Sequence, residues 1–122
     1  MTFSTFKYKG THDVWVVLNH TDPSKEDIEA FFHELGSLYN NDTQPKPFRL
    51  HYDVRDCDII LSGLGSCAVF SKTLREFEKL YESEIRDNTE SIKIIVNNSF
   101  VQRIANSLVG AQLVPITFEI TA

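Results

Sequence analysis

The sequence is short of cysteine, of unbroken apolar stretches and of basic residues, and each shortage removes a class of protein. Cys57 and Cys67 are the only cysteines. Two thiols do not make a disulfide framework, and their default state is the free thiol of a reducing compartment, so the cytoplasm is the expected location. The apolar runs, those at 14–18 and 94–96 among them, are too short to cross a bilayer. The opening MTFSTFKYKG lacks the apolar region and small-residue cleavage site of a signal peptide. Twelve Lys and Arg against 17 Asp and Glu leave a net charge of −5. With no cationic excess to neutralise phosphates, neither nucleic acid nor an anionic membrane is an expected partner.

Recognisable reaction motifs are missing as well. There is no glycine-rich phosphate loop with its lysine, no G-x-S-x-G elbow and no HExxH. His12, His20 and His33 are scattered, and no second ligand pair at zinc-like spacing accompanies His51 and Asp53. A cofactor, a metal and a catalytic group are therefore not expected, and the chain reads as a non-enzymatic protein.

What is present is an ordinary globular balance. The 122 residues are 42% apolar and 24% charged, enough for one hydrophobic core, so residues 1–122 read as a single domain. Polar punctuation at 9–11, 40–47, 88–89 and 97–98 cuts the chain into pieces of element size. Residues 3–8 and 13–19 form a hairpin turning at Gly10. Asp22 or Ser24 can cap a helix whose stripe is Ile28, Phe31, Phe32, Leu35 and Leu38, with Gly36 weakening its last turn. In 48–54, Phe48, Leu50, Tyr52 and Val54 alternate with Arg49, His51 and Asp53, as in a strand covered on one face. A long helix is expected over 66–86, with Cys67, Phe70, Leu74, Phe77, Tyr81 and Ile85 on its buried side. A strand at 92–96, a short helix from 98 or 99 to Gly110 and a last strand over 114–121 complete the order. Pro115 marks that strand as a sheet edge.

The order β(β)αβαβαβ predicts an α/β fold with a mainly parallel sheet. Strands buried on both faces would be apolar on both. Here one side carries Arg49, His51, Asp53, Lys93, Thr117 and Glu119. Helices are therefore expected mostly on one face, with successive strands side by side.

The stretch YDVRDCDIILSGLGSCAV, 52–69, runs from strand through loop to helix and holds Ser62, Gly63, Leu64 and Gly65. It resembles the strand–loop–helix junction of the STAS domain, the fold of bacterial anti-sigma-factor antagonists, and more loosely the lipid-binding CRAL-TRIO domain. In antagonists that junction reads approximately D-S-S-G-L-G, and the serine before Gly-Leu is phosphorylated. Ser62 takes its place, while Ile60 and Leu61 stand where the family has an acidic residue and its first serine. The likeness covers about 7–120. It implies a regulatory protein-interaction module that docks partners through Asp56, Asp58, Ser62, Gly63, Leu64, Gly65 and Ser66, with a phosphoserine switch at Ser62. The second likeness implies a binder of small apolar ligands or lipids.

Physical chemistry alone leaves two readings of that junction. A hydroxyl at a helix N-terminus can carry or touch an anion. Equally, Gly63 and Gly65 can make a tight turn that Ser62 or Ser66 caps. The run His51, Asp53, Asp56, Cys57 and Asp58 can be a solvated polar face or converge on a ligand. On the sheet side away from the helices, Trp15, Val17 and Ile95 form a candidate interface, for a protein partner or a homodimer, unless the N-terminal segment covers them.

Overall fold

The computed structural model describes residues 3–8, 10, 12–18, 23–56, 64–97 and 113–121, with the backbone alone for 64–67. Five strands form one sheet: β1 (Ser4–Tyr8), β2 (Asp13–Leu18), β3 (Phe48–Asp53), β4 (Thr89–Val96) and β5 (Ile116–Ile120). They lie side by side in chain order, β1-β2-β3-β4-β5. β1 runs antiparallel to β2, and every later neighbour pair is parallel. Gly10, in the β1–β2 connection, has φ +81°, a conformation open to glycine and costly for a side chain.

Three described helices join the strands: α1 (Lys25–Tyr39), α2 (Leu64–Leu80) and α3 (Glu82–Asn88). Ser24 is the α1 cap. Its hydroxyl accepts from the Asp27 amide while the Asp27 carboxylate accepts from the Ser24 amide, so two otherwise unpaired donors are satisfied reciprocally. Ile28, Phe31, Phe32, Leu35 and Leu38 are all buried, which is the stripe the apolar spacing predicts. They meet Val14, Val16, Leu18, Phe48, Leu50, Ile94 and Val96, together with Phe77 of α2 and Ile85 of α3, in one core. The strand residues in that core alternate with half-buried ones, iBiBiB along β2 for instance. All three described helices therefore cover the same face of the sheet. The α/β class and the one-sided cover match the expectation.

Two elements depart from it most. The expected single helix over 66–86 starts two residues earlier and breaks at Tyr81, whose φ of −109° and ψ of 21° leave the helical region. Hydrogen bonds still run from the Tyr81 amide to the Phe77 carbonyl and from the Ile85 amide to the Tyr81 carbonyl, so the chain bends there without losing its ladder. The bend turns Ile85 into the core and leaves Leu80 76% exposed. β4 also starts at Thr89 rather than 92, directly after α3. Its first residues are polar and carry no apolar alternation. They pair with Phe48 and Arg49 across a register shift, and Thr89 is fixed by a buried 2.5 Å hydrogen bond to the Tyr39 hydroxyl. Pro115 stands just before β5, which is an edge of the sheet as expected. The helix expected over 98–110 lies outside the described residues.

Candidate functional site

The sheet face away from the helices is a grid fixed by register. Lys7, Trp15, His51, Lys93 and Thr117 form one row across the five strands; Thr5, Val17, Asp53, Ile95 and Glu119 form the next. Side chains at i and i+2 of a strand share a face, and parallel pairing brings His51 beside Trp15. Their rings stack with centroids 4.5 Å apart and planes within 8°.

Arg49, His51, Arg55 and Lys93 on this side each have a carboxylate partner within the chain. Arg49 grips Asp13 with two nitrogens, at 2.7 and 2.9 Å, and reaches Glu90 at 3.0 Å, which ties β2, β3 and β4 together at their shared end. His51 Nε2 lies 2.9 Å from the same Asp13 carboxylate. Hydrogen bonds from Arg49 and His51 hold the Asp13 carboxyl well below the usual carboxylate range. At the other end Arg55 pairs with Asp53 at 2.8 Å, and its hydrogen bond lowers the Asp53 pKa. Lys93 and Glu119 are 3.9 Å apart.

The His51–Asp13 pair has the composition of an acid–base dyad but not its geometry. With Nε2 donating to Asp13, Nδ1 is the nitrogen left to act on a substrate. Nδ1 is fully buried and has no hydrogen-bond partner among the described residues. A general base must come within hydrogen-bond reach of the proton it takes, and in this structure that atom is buried. Here the cluster fastens strands and orients Trp15. No group of three or more metal-ligating side chains occurs among the described residues.

The two sets of residues singled out in the sequence fare differently. Trp15 and Val17 lie half-buried on the open face as expected. Ile95 lies on it too, yet it is only 3% exposed, so it is not an exposed anchor. Asp53 and Glu119 flank it in register, and both act on the Arg55 guanidinium. Arg55 was not foreseen, because a side chain two residues beyond a strand that turns back to pair with it leaves no trace in alternation. In the docking stretch, Asp56 is exposed after β3, while Leu64, Gly65 and Ser66 form the first residues of α2. Asp58, Ser62 and Gly63 lie outside the described residues. The first residue of the stretch, Asp56, follows the Asp53–Arg55 pair at the carboxyl end of β3. Asn97, following β4, donates to the Arg55 carbonyl at 3.4 Å and joins the same edge.

Between α2, α3 and the sheet lies a cavity of about 60 Å³ lined by Tyr39, Tyr52, Phe77, Glu78, Leu113 and neighbouring aliphatic residues. Burial raises the pKa of Glu78, and it pushes the Tyr39 hydroxyl up to about 12. A volume of this order holds a few waters, whereas ligand sites usually run to several hundred Å³ (roughly 300–1,000). No helix among the described residues is long and apolar enough to cross a membrane. Searches of the chain against known protein families, characterised proteins and solved structures return no match.

Proposed function

We propose that this chain is a STAS-like protein-interaction module that docks a partner through residues 56–66 and the start of α2. The observation that carries the reading is the winding of the sheet. Small-molecule crevices in open α/β sheets form where the strand order reverses beyond the carboxyl ends. The parallel strands β2 to β5 follow one another without such a reversal, which favours docking on the segments that follow the strands over binding in a crevice. Ser62 and Gly63 immediately precede Leu64, the first residue of α2. A hydroxyl beside a helix N-terminus is well placed to carry a charge-bearing phosphate that a partner reads.

The apolar-ligand alternative receives little support from a cavity of about 60 Å³ among the described residues. The homodimer alternative has Trp15 and Val17 on its side, and the internal pairing of the neighbouring charges against it.

Quantitative affinity capture from the native source tests the reading with three baits. Wild type and Asp42→Lys, altered in the loop at the opposite end of the sheet, should retain the same proteins. Leu64→Arg should lose them while keeping its helical circular dichroism and melting temperature. Equal retention by all three would remove residues 56–66 as the docking surface. Ser62→Asp should change retention by tenfold or more if the serine is a switch, a change of about 1.4 kcal/mol.

A further inference from the structure

We draw no further inference here: the strongest candidate, the Trp15–His51–Asp13–Arg49 cluster on the open face of the sheet, has its charges satisfied within the chain, and nothing in the structure shows what covers it.

Discussion

At the scale of single residues, hydrogen-bonded pairs decide how the molecule responds to pH and to substitution. Asp13 has a folded-state pKa below its ordinary value because Arg49 and His51 bond the ionised form. Its contribution is therefore complete above the unfolded value, near pH ~4, and is lost as pH falls through the folded one. Asp13→Asn should lower the melting temperature at pH 7 and flatten the acid limb of stability below pH ~4, as followed by circular dichroism. Glu78 has the opposite sign. Burial raises its pKa, so the ionised carboxylate weakens the fold as pH climbs from the unfolded value to the folded one. Glu78→Gln should then melt higher than wild type at pH 7 and lose that advantage near pH 4. The Tyr39–Thr89 bond is buried, and removing one partner leaves the other without it. Tyr39→Phe should cost about 1–3 kcal/mol in urea unfolding, and the double variant with Thr89→Val less than the sum of the two single ones.

At the scale of elements, the helix junctions hold the least obvious constraints. Gly36 lies inside α1, where alanine would ordinarily be better by about 1 kcal/mol. A Cβ there would sit 2.8 Å from the Tyr81 hydroxyl and 3.2 Å from the ring carbon bearing it. Tyr81 cannot easily retreat, since it stacks on Phe77 at 4.6 Å and its hydroxyl accepts from Asn40. Gly36→Ala should therefore destabilise by roughly 1–3 kcal/mol, and Tyr81→Phe in the same chain should recover part of the loss. A gain in stability from Gly36→Ala alone would contradict this account of the contact between α1 and Tyr81.

The same junction shows what a sequence can and cannot reveal. Gly36 reads as a weakness in the last turn of a helix that ends, as expected, just before Asn40; the reason for a glycine there is a close approach by a residue 45 positions away, which local propensity does not encode. The stripe from Ile28 to Leu38 and the alternation of Phe48 to Val54 were legible because each is a repeat of one face within one element. The bend at Tyr81 was not, because Leu74, Phe77, Tyr81 and Ile85 keep helical spacing through it. Thr89 escaped notice for a related reason: a buried polar residue is recognised by its partner, and Tyr39 is 50 residues distant. On the open face, Arg49, His51 and Asp53 could be placed together from alternation alone. Their partners Asp13 and Trp15 required the β2–β3 register.

At the scale of the whole molecule, the one-sided winding of the described elements is the property from which the rest follows. It concentrates apolar burial between one sheet face and the helices, so truncation there should be felt throughout the fold. Leu50, fully buried at the centre of β3, should cost about 2–5 kcal/mol as Leu50→Ala in denaturant unfolding. It also leaves the opposite face to ion pairs and to Trp15, and puts Asp56 at the carboxyl edge of β3. Cross-strand nuclear Overhauser contacts in solution test this arrangement most directly. The account predicts backbone contacts linking Trp15 to His51, His51 to Lys93 and Lys93 to Thr117, in that order across the sheet. Contacts placing β4 or β5 next to β2 would contradict it.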